Sequence, residues 1–250
     1  MSEQVTDTRK WWASALMIGA VVGLVCLLLG ALGTKFGIWG FQGGFMLLGV
    51  GTVLAVVVFF LGVIAAIYCM SKKLQAEFRA IITGVLISVV MLGAMGSQFM
   101  AATSVPAIHN ISTDTQAPPA FDKLIAIREA EEGTNPHEYD AEALAELQKQ
   151  AYPQVKPLIS ALSPADMLGQ VAQLLEDMGM EVVNSDAQAG RVEATDTTFW
   201  FGFKDDVVVR VRPEGSGCVV DIRSVSRVGQ SDLGKNAARI SEILAALQTG

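Results

Sequence analysis

The densest set of side chains able to do chemistry falls within residues 224–239. There Arg227, Gly229, Ser231 and Asp232 surround a helix start, and Asn236 and Arg239 follow on its first turns. A helix N-terminus offers free backbone N–H groups and positive potential, and with a hydroxyl and guanidinium groups beside it suits a phosphate, sulfate or carboxylate. A plainer arrangement fits the same residues: Asp232 meets Arg227 directly, and the set is a capped helix pinned by an ion pair. The two readings part at Arg227→Gln, which lowers affinity for a phosphate-bearing ligand in the first and costs stability in the second.

Residues 197–206 hold Phe199, Trp200, Phe201 and Phe203 ahead of Lys204, Asp205 and Asp206. Aromatics this crowded must point to both faces of a strand, so some are exposed or packed at a membrane interface. Phe199, Trp200 and Phe201 are therefore a candidate surface for a partner or for lipid headgroups, with a core strand edge as the alternative. Asp205 and Asp206 are adjacent on a strand start and point to opposite faces, which excludes a paired-carboxylate centre; they read as turn residues. His109 and His137 are the only histidines, the first near Asp114 and the second near Glu138 and Asp140. Zinc needs several converging ligands, and a hydrolase needs a nucleophile with an oriented base. Neither spacing is present, so no catalytic residue, metal site or cofactor is assigned.

Three apolar runs must carry these groups, residues 11–33, 39–70 and 80–102, none holding an ionised side chain. Each is long enough to cross a bilayer, and the first is too long for a signal-peptide core, so all three read as retained spans. Arg9 and Lys10 precede the first span and Lys72, Lys73 and Arg79 lie between the second and third, against Lys35 alone in the first connection. The basic flanks are expected in the cytoplasm, which puts everything after the third span on the far side, the periplasm of a bacterial inner membrane. Proton relays and voltage sensors need ionisable groups in the membrane, and these runs have none. Gly19 with Gly23 and Gly40 with Gly44 are spaced to let another helix approach closely, for internal packing or for assembly with a partner.

The formal net charge of −7 hides a division: residues 1–101 hold six Lys/Arg and three Asp/Glu, residues 102–250 twelve and twenty-two. An acidic soluble part argues against nucleic acid and against lying flat on anionic lipid. Cys218 is its only cysteine, so it has no internal disulfide. The expected domains are a three-helix transmembrane anchor over 1–102, an extended loop and acidic helical segment over 103–150, and an α+β soluble domain over 151–250.

Residues 105–121 have Pro and Asx/Ser/Thr punctuation without apolar periodicity and read as an extended loop. A short helix over about 138–149 presents Leu144 and Leu147, and the folded core is expected to start near Tyr152. Ser163, Pro164 and Asp166 mark a helix start whose stripe is Met167, Leu168, Val171, Leu174, Leu175 and Met178, with Gly179 as the stop. Strands are expected at 181–183 or 191–195 or both, at 206–212 and at 218–226. In the second, Val207, Val209 and Val211 alternate with Val208, Arg210 and Arg212, as in a sheet with one wet face. A four-residue turn over 213–216 places Val211 opposite Cys218 and Asp206 opposite Arg223. Ser231 caps a last helix over 232–247, striped by Leu233, Ala237, Ile240, Ile243, Leu244 and Leu247. Helix, strands, helix implies an α+β fold: three transmembrane helices, then a two-layer soluble domain with helices on one face of an antiparallel sheet.

The blocks IHNISTDTQAPPAF, AYPQVKPL, TTFWFGFKDDVVVRVRP and VDIRSVSRVGQSDLGKNAARI occur here in that order. Together they resemble the bacterial family catalogued as domain of unknown function 1499, often found behind a short membrane anchor. The resemblance covers about residues 105–247 and carries over no activity. The favoured expectation is a non-enzymatic envelope protein whose domain binds an envelope partner or an anionic, lipid-derived ligand. The alternatives are a small hydrolase or transferase using Arg227, Ser231, Asp232 and His109, and a structural subunit of a larger membrane complex.

Overall fold

The computed structural model describes residues 10–249; Arg9, counted above among the basic flanks, lies outside them. The described chain forms two compact units, the first up to Met100 together with Trp200–Gly202, the second Ala101–Phe199 together with the residues from Phe203 on. In the first are three helices long and apolar enough to cross a membrane: α1 (Trp11–Lys35), α2 (Phe41–Lys72) and α3 (Gln75–Ser104). The chain is a membrane protein on that ground. Hydroxyls in the spans bond to carbonyls of their own helix, Thr34 to Gly30 at 2.9 Å, Thr52 to Leu48 at 2.8 Å and Ser88 to Gly84 at 3.0 Å, as a polar group in lipid requires.

Where α1 and α2 pack, glycine faces glycine. A Cβ on Gly44 would stand 2.6 Å from the Gly30 carbonyl oxygen, and one on Gly51 2.7 Å from that of Gly23. Only a residue without a side chain lets the backbones come this close. Of the four-residue pairs picked out above, Gly23 and Gly44 make this contact; Gly19 faces the Val58 side chain, and Gly40 is the N-cap of α2.

The second unit is built on one antiparallel sheet of β1 (Asn110–Ser112), β2 (Leu158–Ser160), β3 (Glu181–Asp186), β4 (Arg191–Thr197), β5 (Lys204–Glu214) and β6 (Gly217–Ser226). The order is β1-β6-β5-β4-β3, with β2 also paired to β6: β1 lies along Arg223 to Val225 and β2 along Cys218 to Val220. Four helices accompany it, α4 (Lys123–Glu129), α5 (Ala141–Ala151), α6 (Pro164–Asp177) and α7 (Lys235–Thr249).

Helix α6 starts as its sequence dictates. Ser163 Oγ accepts from the Asp166 N–H at 3.2 Å, Pro164 occupies the first turn, and Gly179 at φ 83° ends the run. Met167, Leu168, Val171 and Leu175 of α6 and Ala237, Ile240, Ile243, Leu244 and Leu247 of α7 bury against Val207, Val209, Val211, Val220 and Ile222. These two helices thus share one face of the sheet and make the expected α+β core.

The structure corrects several details. The β5–β6 hairpin turns on Gly215 and Ser216 alone, with Glu214 opposite Gly217, so Val211 faces Val220 and Asp206 faces Val225 rather than Arg223. Both registers keep the apolar sets on one face, since they differ by an even number of residues; Gly215 at φ 57° supplies the positive φ a tight hairpin needs. The core does not begin near Tyr152: Ile108 and Ile111 belong to it, and residues 105–121, read as a loop, contain β1. On α5, Leu144 packs on the core but Leu147 is exposed, and Gln148 takes the inward position, its side-chain amide bonding both the N–H and the C=O of Ser112.

The second face of the sheet is not wet either. Phe121 and Leu124 cover Val208 and Val225 there, and the buried Glu193 of β4 accepts the N–H groups of Asp122 and Lys123 at 2.7 and 3.0 Å. A carboxylate on that same face of the sheet therefore serves the orphan donors that open α4.

Candidate functional site

Asp205 and Asp206 begin the geometry, because consecutive strand residues point to opposite faces. Neither is a turn residue: both lie in β5 and both are buried. On the α7 side, Arg239 donates to Asp205 at 2.7 Å and to Asp196 at 2.5 Å. Its remaining donor reaches Ser224 Oγ at 3.0 Å and Asn236 Oδ1 at 2.6 Å. The Asn236 amide nitrogen in turn donates to the His109 carbonyl and to Ser226 Oγ.

On the opposite face, Asp206 accepts four donors. Arg227 reaches it through Nε at 2.9 Å and Nη2 at 2.8 Å, Arg128 through Nη1 at 2.6 Å, and Thr195 through Oγ1 at 2.8 Å. Arg227 also pairs with Glu131 at 2.6 Å and is only 2% exposed. Asn135 ties the segment down, its amide donating to the carbonyls of Ser226 and Gly229.

A single anion site combining Arg227 and Arg239 is therefore not what the fold makes. The sheet separates them, and the chain's own side chains take up the donors of each, carboxylates for Arg227 and carboxylates with Ser224 and Asn236 for Arg239. The ion pair that sequence offered for Arg227 exists, but with Asp206 in place of Asp232. Gly229 has φ 90° in the loop between. Ser231 Oγ accepts from the Leu233 N–H at 3.3 Å, and Asp232 caps α7 by accepting from the N–H groups of Gly234 and Asn236, each at 2.8 Å. The carboxylate of Asp232 thus stands where an incoming anion would. Among the described residues the His109 imidazole makes no hydrogen bond to Ser231, and no three His, Cys, Asp or Glu side chains converge as metal ligands would.

Partial burial pushes the Asp232 carboxyl up from its ordinary range, the charge of Asp205 adding to the effect and the two backbone N–H groups opposing it. The folded state then holds this proton more tightly than the unfolded chain does, so the contribution of Asp232 to stability falls as pH rises from the ordinary carboxyl value through the raised one. Asp232→Asn keeps an oxygen for capping and cannot ionise. Measured by denaturant unfolding, the variant is expected to gain on the wild type as pH climbs through that window. A constant difference would mean that Asp232 titrates at the same pH in both states.

Sequence reasoning missed Arg128, Glu131, Glu193 and Asp221. The last is fully buried, pairing with Arg210 at 2.9 Å and Arg212 at 2.8 Å. The available signal was an excess of balanced charge on a strand face taken to be wet. The aromatic candidates lie in the β4–β5 connection, where Phe199 is 71% and Trp200 55% exposed and Phe201 is half-buried. The Thr198 N–H donates to the Phe203 carbonyl, and the Phe203 N–H to Thr198 Oγ1, both at 2.8 Å, closing the tip at its base.

A run of three membrane-crossing helices ahead of an α+β domain, whose buried arginines and aspartates pair on its two faces, defines a membrane-anchored protein with a charge-stitched α+β unit. The chain belongs to the family described as "Protein of unknown function (DUF1499)", whose model matches residues 110–247. No curated protein matches it.

Proposed function

We propose that this is a non-enzymatic protein of the bacterial envelope, anchored in the inner membrane with its α+β domain in the periplasm, where the domain binds another envelope component at the membrane surface. The observation that carries this reading is the pairing of Arg227 with Asp206 and of Arg239 with Asp196 and Asp205. Such pairing builds a rigid body and leaves recognition to the outer surface rather than to an internal polar centre. The basic flanks at Lys10 and around Lys72, Lys73 and Arg79 support the orientation.

Two experiments test it. Purified in mild detergent from its own host, the chain is expected to carry a protein or lipid at fixed stoichiometry, identified by mass spectrometry; a chain that purifies alone overturns the binding reading. For orientation, Gln188→Cys puts a thiol on the exposed β3–β4 turn, whereas Cys218 is buried. A membrane-impermeant maleimide is expected to label it in intact spheroplasts, and labelling only after lysis would reverse the topology.

A further inference from the structure

We propose that the cavity between the chain following β1 and the C-terminal end of α5 binds a phosphate monoester, whose dianionic head is held by Lys149, Lys156 and the Thr115 hydroxyl while its neutral body lies on Pro153 and Val155. The site lies wholly within the α+β unit. It does not rest on the envelope-partner reading, which stands or falls separately.

The cavity has a volume of about 330 Å³, near the lower end of the range for small-ligand sites. Its walls are already fixed. Thr113 makes two hydrogen bonds with Ile222, its N–H donating to the carbonyl at 2.9 Å and its Oγ1 accepting from the N–H at 2.8 Å. The Gln148 side chain is committed to Ser112 and to the Tyr139 hydroxyl. A site braced in this way is preorganised, so a ligand does not have to order it.

Thr115 is the exception. It is only 7% exposed and lines the cavity, yet among the described residues its hydroxyl has no hydrogen-bond partner. Nor is that hydroxyl among the polar atoms sealed from solvent. A buried hydroxyl is normally hydrogen-bonded, and this one is left to bond with something inside the cavity.

Charge identifies the class of ligand. Residues 102–250 carry twelve Lys/Arg against twenty-two Asp/Glu, but the residues lining this cavity include two lysines and no carboxylate. Both lysines are exposed, and among the described residues neither is in an ion pair. Asp114, the acid next to Thr115, is already engaged: it accepts the N–H groups of Gln116 and Ala117 and pairs with Arg210. Two free ammonium groups match the charge of a phosphate monoester, about −2 at neutral pH, better than that of a single carboxylate. Lysine holds phosphate as a point charge; the planar fork that grips a carboxylate belongs to arginine, and none lines the cavity.

The test is calorimetric titration of the full chain in maltoside detergent with three probes. Phenyl phosphate is the soluble monoester, benzoate the monoanion on the same ring, and short-chain phosphatidic acid the lipid that carries the same head. Saturable one-to-one binding of phenyl phosphate or of phosphatidic acid is expected, the tighter of the two telling a soluble ligand from a lipid one, with benzoate clearly weaker. Lys149→Gln and Lys156→Gln are each expected to weaken binding several-fold. Thr115→Val is expected to weaken it about tenfold, the scale of one hydrogen bond to a charged group. This last variant separates a ligand site from a structural role, because it removes a hydroxyl that the protein does not use: its unfolding midpoint should equal or exceed that of the wild type while its affinity falls. Three results would overturn the proposal: no saturable binding of either phosphate probe, benzoate binding as tightly as phenyl phosphate, or an affinity that all three substitutions leave unchanged.

Discussion

Replacing Asp206 with Asn is expected to cost the soluble unit about 3–5 kcal/mol of folding stability, the usual penalty for removing one partner of a buried ionic cluster. Asp206 is fully buried, and so, nearly, are both guanidiniums it serves, Arg128 and Arg227. With the carboxylate gone, Arg128 keeps only its bond to the Asn135 carbonyl, and Arg227 keeps Glu131 and a long contact to Thr195. An Asn amide also turns a donor toward donors. By the same logic Arg227→Gln is expected to lose stability. In the double variant the losses should fall short of their sum by about 0.5–3 kcal/mol, because the second change removes a charge that the first left stranded. Chemical denaturation of the full chain in detergent measures both. Lys123→Ala breaks an exposed pair with Asp122 and serves as the control, expected to shift stability by about 0–1 kcal/mol. Equal effects at Asp206 and Lys123 would mean that water reaches the cluster.

That cluster marks where the sequence stops being legible. Helix α6 and the stripe of α7 can be read because their signals are local: Ser163, Pro164 and Asp166 are neighbours, and the stripes repeat within a few turns. The start of α7 cannot, since the helix begins at Lys235 with Asp232 rather than Ser231 as its cap, and Leu233 lies before it at φ 56°. The inner face of β5 can be read from the alternation of Val207, Val209 and Val211, again a local signal. The outer face cannot, because what covers it comes from far along the chain. Arg128 lies 78 residues from Asp206, and Glu193 is 71 residues from the N–H of Asp122. Alternation reports which residues share a face, not whether that face meets water. Strand β1 was lost for another reason: three residues carry no period, and Ile111 becomes a strand residue only because β6 offers it an edge. The candidate site failed as one site on a point of parity, since the pairing places Arg227 and Arg239 on opposite faces and proximity in sequence does not.

In the spans the decisive contacts are between backbones, and there Gly44→Leu is expected to have the second large effect. Its new Cβ would lie 2.6 Å from the Gly30 carbonyl oxygen, a main-chain atom that no change of rotamer can move. The helices must separate, and with them go the packing contacts that drive helix association where lipid is as apolar as protein. A loss of about 1–3 kcal/mol is the usual scale for such overpacking, with the upper end expected here because the Gly51 and Gly23 contact further along the same seam opens too. Gly49→Leu is the matched control. It adds the same side chain to the same helix, yet a Cβ there meets nothing within 4 Å. Unfolding in mixed micelles of rising dodecyl sulfate fraction should separate the two variants clearly. Should both behave alike, the glycine seam does not hold α1 to α2, and its small-residue faces would be free to pack against another protein, which is the assembly-subunit reading.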